Sequence, residues 1–286
     1  MSLGAYIYRK KCTKSDAQRD AGLTTPPQVV RYDHNPYGSD PKRQSLDLYC
    51  PKAQTGSLPV IVSFHGGGWV YGTKETYQFY CMDLARRGFA VINYNYRLAP
   101  KYRFPAPLED TNLVFRWLRD HAAEYALDLS RIFAVGDSAG ALGIALYACI
   151  LTNPDYAARY RFRTPEGIRI RGLGLNCGMY TVTDKERALR DFLPKKNRSE
   201  ALSLLNAVDF VTTDFPPSYV MTANADFLRH EPQHLTDVFD RLHVPYRFRM
   251  FGSDARQLGH VFHCNIKTKA ARTVNDDECA FFRSLI

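Results

Sequence analysis

No apolar stretch in this sequence is long enough to cross a bilayer. The longest, Ala139 to Leu151, falls short of the roughly 20 residues a membrane helix needs. The N-terminus lacks the apolar core of a secretory leader. The seven cysteines are odd in number and none is closely paired, which argues against a disulfide framework and leaves no zinc-finger spacing. Cys81, Cys149 and Cys177 sit among apolar neighbours, as buried thiols do. These absences together predict a reduced, cytoplasmic protein. Also missing are a Walker Lys-Ser/Thr pair, a G-x-G-x-x-G fingerprint, an RNA-recognition signature, internal repeats and any low-complexity linker. The net charge of +9 is spread along the chain, and its densest run, "YRKKCTK" from Tyr8, lies in what reads as a short N-terminal arm. Scattered charge of this kind reads as a solvated basic surface rather than as a nucleic-acid or membrane footprint.

What is present fits one α/β domain over residues 1–286, large enough to bury an extensive core. Short apolar runs bounded by turn residues predict buried strands at Leu58–Phe64, Ala90–Tyr96, Arg131–Gly136 and Arg169–Asn176. "PSYVMTA" from Pro217 and "PYRFRMF" from Pro245 read the same way, and "QVVRY" with "SLDLYC" forms an antiparallel edge pair. Helical stretches lie between them: "YQFYCMDLARRG", "APLEDTNLVFRWLRDHAAEY", "HLTDVFDRLH" and the closing "DDECAFFRSLI". The alternation predicts a mostly parallel eight-stranded sheet flanked by helices. From 181 to 213 the chain is charged and helical in pattern ("DKERALRDFL", "SEALSLLNAVDFV") and interrupts the step between two strands, as a small helical cap would; a plain surface crossover is the competing reading.

"GDSAG" at 136–140 sets a serine between two glycines, directly after a strand and at the start of an apolar helix. That is the pattern of a nucleophile elbow, in which small flanking residues let strand and helix approach and the serine side chain is thrust out at the sheet's carboxyl edge. A serine that merely caps the helix is the alternative. "FHGGGW" at 64–69 ends an earlier strand with three glycines, a backbone free to converge N–H groups on one point. A nucleophilic serine needs a base and a group to orient it, in the chain order Ser, acid, His. Asp226, in "NADFLRHEP", follows one strand; His260, in "GSDARQLGHVFH", follows the last. Glu231 and Asp254 compete with Asp226, and His263 with His260; His230, His234 and His243 lie on or near the preceding helix. Trp69 and Tyr71, just past the glycines, are candidate walls for a substrate.

With "HGGGW" at 65–69, "YRLAPKYRFPAPLED" at 96–110, "GDSAG" at 136–140, "DFLR" at 226–229 and "GHVF" at 259–262, the chain resembles the hormone-sensitive lipase-like (family IV) esterases of the α/β-hydrolase fold. The resemblance implies Ser138 as nucleophile, His260 as base, Asp226 as its partner, and an oxyanion hole from the N–H groups of Gly67, Gly68 and Ala139. It implies that Asp137 and the stretch from Arg97 to Asp110 brace loops. The family's cap includes an N-terminal helical segment, so the short N-terminal region here implies a reduced cap and a more open site. The expected reaction is hydrolysis of short-chain acyl esters without metal or cofactor, on a small-molecule substrate, with no nucleic-acid or membrane partner and with a homodimer as an open option. Amide cleavage, as in arylformamidases, and a non-catalytic receptor on a hydrolase fold are the alternatives.

Overall fold

A computed structural model describes residues 2–53, 55–183 and 189–286. Eight strands form one sheet: β1 (Val29–Pro36), β2 (Ser45–Pro51), β3 (Leu58–Phe64), β4 (Ala90–Tyr94), β5 (Leu127–Asp137), β6 (Ile170–Asn176), β7 (Ser218–Ala223) and β8 (Tyr246–Phe251). Their spatial order is β1-β2-β4-β3-β5-β6-β7-β8. β1 and β2 are antiparallel, and every pair from β4 onward is parallel. β3, β4 and β5 are apolar through their centres because helices cover both faces, as a parallel sheet requires. Parallel pairing also aims the carboxyl ends of β3, β5, β7 and β8 at one edge.

The helices are α1 (Leu3–Asp20), α2 (Lys74–Ala85), α3 (Ala106–His121), α4 (Ala139–Thr152), α5 (Pro154–Ala157), α6 (Leu189–Phe192), α7 (Arg198–Ser203), α8 (Glu231–Leu242) and α9 (Lys269–Arg283). Two elements differ from the sequence reading. β8 is exposed along most of its length rather than buried: it is the edge strand, and Arg249 reaches Asp277 of α9 at 3.2 Å. The stretch read as an N-terminal arm is an 18-residue helix, α1. Its pattern hides it, because the side turned to the protein is polar and is held by hydrogen bonds. Arg9 donates to the carbonyls of Val70 and Ala99, Arg19 donates to that of Thr76, and Asp16 accepts from the Tyr71 hydroxyl at 2.7 Å. The helix therefore lies against the loop that follows β3, where the short N-terminus led us to expect more open space.

The segment between β6 and β7 includes residues 184–188, where part of the expected "DKERALRDFL" helix falls; these lie outside the described residues. The remainder forms the short α6 and α7 and a 3₁₀ turn at Ala207–Asp209. Leu189, Phe192, Leu193, Leu205 and Ala207 from this segment join the main core.

Candidate active site

Ser138 stands at the junction of β5 and α4 with φ 53° and ψ −121°, a conformation costly for a residue bearing a side chain. Its surroundings hold it there. The Ser138 N–H donates to the carbonyl of Asn176 on β6 at 2.9 Å, and the Asn176 amide donates to Glu278 at 2.8 Å. At position 140 only glycine fits, since a Cβ would run into the carbonyl oxygen of Phe64. Glu278 is buried, and that burial pushes its carboxyl up to about 7 against the hydrogen bonds of Asn176 and Tyr80.

His260 comes from the loop after β8. Its Nε2 lies 2.9 Å from Ser138 Oγ and its Nδ1 lies 2.8 Å from Asp226 Oδ1. Asp226, just past β7, is fully buried and also accepts from the Leu228 N–H at 2.8 Å. Burial by itself would raise its carboxyl; the hydrogen bond and charge of His260 and the Leu228 amide outweigh that and hold it below its usual range. Asp226 is thus a carboxylate at neutral pH, and it fixes the imidazole proton on Nδ1, leaving an Nε2 lone pair toward the serine hydroxyl.

The competing residues stand elsewhere. Glu231 accepts from the backbone of Tyr180 and Thr181, at 3.0 and 3.1 Å. Asp254 is exposed. His263 is buried against Tyr80, its ring 5.1 Å away, and burial drives its imidazole down to about 3. His230 and His243 bracket α8, and His234 lies within it.

The glycine loop is tied to the serine turn through Asp137. The Gly66 N–H and the Tyr77 hydroxyl both donate to its carboxylate, at 3.1 and 2.7 Å. Gly67 has φ 112°, and a Cβ there would strike the carbonyl of Tyr71. Its own carbonyl accepts from Val70 and Tyr71, which curls the loop. Ala139 opens α4, so its N–H lacks an intrahelical acceptor, like every first-turn amide. Of the two aromatic residues expected to face a substrate, Trp69 is buried and stacked on Phe192, with centroids 4.4 Å apart; Tyr71 is engaged by Asp16 and packs edge-on to Tyr8. Arg97 and Asp110 brace the following loop through a buried carboxylate, with Arg97 Nε 2.8 Å from Asp110.

Three neighbours escaped the sequence reading. Tyr77 and Glu278 reach the site from α2 and α9, and no spacing announces that convergence. Phe227 adjoins Asp226 in "DFLR"; it is exposed, and its ring lies 4.3 Å from that of His260. Cys177, Asp226 and His260 bring three possible metal-ligand atoms within 4.8 Å of one another. Burial, and next to it the Asp226 charge, raise the Cys177 thiol far above its ordinary value, so it keeps its proton. The histidine and carboxylate are already bonded to each other. The trio suits a proton-handling site better than a ligand set.

The BD-FAE family model matches residues 46–233. Carboxylesterase NlhH of Mycobacterium tuberculosis is 36% identical over 128 residues, which cover 41% of this chain and 39% of that protein. Arylacetamide deacetylase of Bos taurus is matched over 31% of its length, so the chain spans well under half of these relatives. An esterase of Fusarium pseudograminearum is 30% identical over 240 residues, 79% of this chain and 71% of the other. Among solved structures, esterase B of Lactobacillus rhamnosis superposes with a TM-score of 0.90 at 25% identity, covering 99% of this chain and 94% of that one.

Proposed function

The chain belongs to the BD-FAE family, within the hormone-sensitive lipase-like α/β-hydrolases, and on that premise we propose that it is a serine carboxylesterase acting on short-chain acyl esters. The observation that carries the reading is the row Ser138 Oγ, His260 Nε2, His260 Nδ1 and Asp226 Oδ1, hydrogen-bonded in sequence at 2.9 and 2.8 Å. In this reading His260 takes the Ser138 proton as Oγ attacks the ester carbonyl carbon. The carbonyl oxygen becomes an oxyanion facing the N–H groups of Gly67, Gly68 and Ala139. The alcohol departs with the proton from His260. Water, deprotonated by the same imidazole, then attacks the acyl-serine, and the acid leaves as Ser138 regains its proton.

The preference for short acyl groups rests on the aromatic layer beside the glycines. Trp69, buried under Phe192, and Tyr71, fixed by Asp16, make this layer rigid, so in this reading it does not yield to a long acyl chain. In this reading the described part of the segment between β6 and β7, from Leu189 onward, serves as a small cap, since it supplies Phe192 over Trp69. All seven cysteines are free thiols, six of them buried, which suits a reducing, cytoplasmic setting.

Hydrolysis of p-nitrophenyl esters, measured as kcat/KM across acyl length, tests the proposal. Acetyl to butyryl esters should turn over fastest, with a steep fall toward octanoyl, since each methylene without room costs roughly 1–3 kcal/mol or more. A rate that still climbs at decanoate removes the short-chain reading. Failure of a fluorophosphonate to label Ser138 removes the serine-esterase reading itself.

A further inference from the structure

The arrangement of α1 is inverted relative to an ordinary surface helix. Residues Ala5, Arg9, Cys12, Asp16 and Arg19 form the side turned to the protein, and three of the five are ionised. The outward side of its first two turns is apolar: Leu3 is 73% exposed, Ile7 57% and Tyr6 43%. Leu3, Ile7, Lys10 and Lys14 follow one another at helical spacing, so an apolar patch runs directly into a basic one. Lys10 lies over the Tyr6 ring at 5.1 Å, and Lys11 beside it is exposed. The nearest acids on the helix, Asp16 and Asp20, are taken up by Arg19. Two more lysines lie nearby: Lys42 and Lys101 line a cavity of about 700 Å³ next to Arg9, where Arg43 is paired with Asp40. The chain as a whole carries +9.

Leaving apolar side chains exposed next to lysines costs free energy in water and is relieved at one kind of surface. We propose that the outer face of α1 docks on an anionic lipid–water interface, with Leu3, Tyr6 and Ile7 entering the headgroup boundary and Lys10, Lys11 and Lys14 meeting the negative headgroups. The inward polar side stays bonded during docking. Because Arg9 and Asp16 hold the loop after β3, the docked helix brings the glycine loop next to that surface. No membrane partner was expected from the scattered charge along the sequence; the helix supplies the missing organisation by gathering part of that charge on one face.

The test is co-sedimentation of the full chain with vesicles of phosphatidylcholine alone and of phosphatidylcholine mixed with phosphatidylglycerol. It is read in the Ser138→Ala background, so that the result stands apart from ester hydrolysis. Binding to the mixed vesicles should exceed binding to phosphatidylcholine by at least about tenfold and weaken with added salt. Replacing Lys10, Lys11 and Lys14 by Gln should lower it by roughly a hundredfold. Leu3→Ser with Ile7→Ser should lower it by about tenfold or more while the thermal midpoint holds, since both side chains point away from the protein. Equal binding to both vesicle types, or none, overturns the proposal. So does binding indifferent to the Leu3 and Ile7 changes, or a fall in solution mass on Ile7→Ser without vesicles, which would assign the face to a second copy of this chain.

Discussion

α4 and α1 both lie at the sheet edge that carries Ser138, and they are held there by opposite means. α4 starts at the residue after Ser138, carries no charge, and buries every residue from Ala139 to Ile150. It is driven into place mainly by apolar burial. α1 buries only Ala5 and is fixed by side chains of Arg9, Asp16 and Arg19 bonded to backbone and hydroxyl groups. The difference teaches where each helix can yield. A helix packed all round cannot shift without opening cavities in the core, so it can anchor a strained serine. A helix held by a few half-exposed polar bonds can loosen at modest cost, and its apolar side is left for something else.

Predictions that probe the α4 side should show the largest effects. Ser138→Ala at the head of α4 should leave the fold intact and lower kcat by on the order of 10⁴ to 10⁶, measured with a p-nitrophenyl ester. A folded variant with near-normal rate would remove Ser138 from the chemistry. Asp226→Asn should cost roughly 10⁴-fold in kcat, because the imidazole proton is no longer held on Nδ1. Glu231→Gln should do far less, and a reversal of that order would transfer the orienting role.

Behind the serine turn, Glu278 reads out the same wall through stability. Its folded value of about 7 lies above the ordinary carboxyl range, so the native state holds a proton that the unfolded chain releases. Stability should therefore be highest below about pH 4.5 in this term, fall as pH rises toward 7, and stay reduced above it. Glu278→Gln should flatten that fall and gain up to about 3 kcal/mol at pH 8, read from urea midpoints at a series of pH values. An unchanged pH slope would mean that the carboxyl is not held protonated.

The α1 side should respond least. Arg9→Met removes the bonds to Val70 and Ala99 and should cost about 1–2 kcal/mol, seen as faster hydrogen exchange across α1, with activity falling less than about tenfold. If instead it abolishes activity as thoroughly as Ser138→Ala, α1 is as integral to the site as α4 and the contrast between them collapses.

Local chemistry made much of the molecule legible in advance. Apolar runs of five to seven residues between turn signals fit covered strands, and β3 matches its reading from Leu58 to Phe64. "GDSAG" and "HGGGW" were visible because backbone constraint forces glycine at set positions, whatever the rest of the chain does. β8 was misread because its apolar residues were weighed over Arg247 and Arg249, the charges that mark an edge strand; its exposure follows from having no neighbour on one side.

The sequence by itself determined the alternation of strands and helices, the serine turn, the glycine loop, and the short choice of acids and histidines that could join them, because each is set by neighbours within a few residues. Only the tertiary structure brought Asp226, rather than Glu231 or Asp254, within hydrogen-bond reach of His260, since 34 residues separate Asp226 from His260 and 122 separate His260 from Ser138, and the hydrogen bonds across those gaps exist only once the sheet has formed. It alone decided the place of α1, for a helix that turns charged groups inward finds its partners in the carbonyls of Val70, Thr76 and Ala99, and backbone carbonyls leave no mark on the sequence.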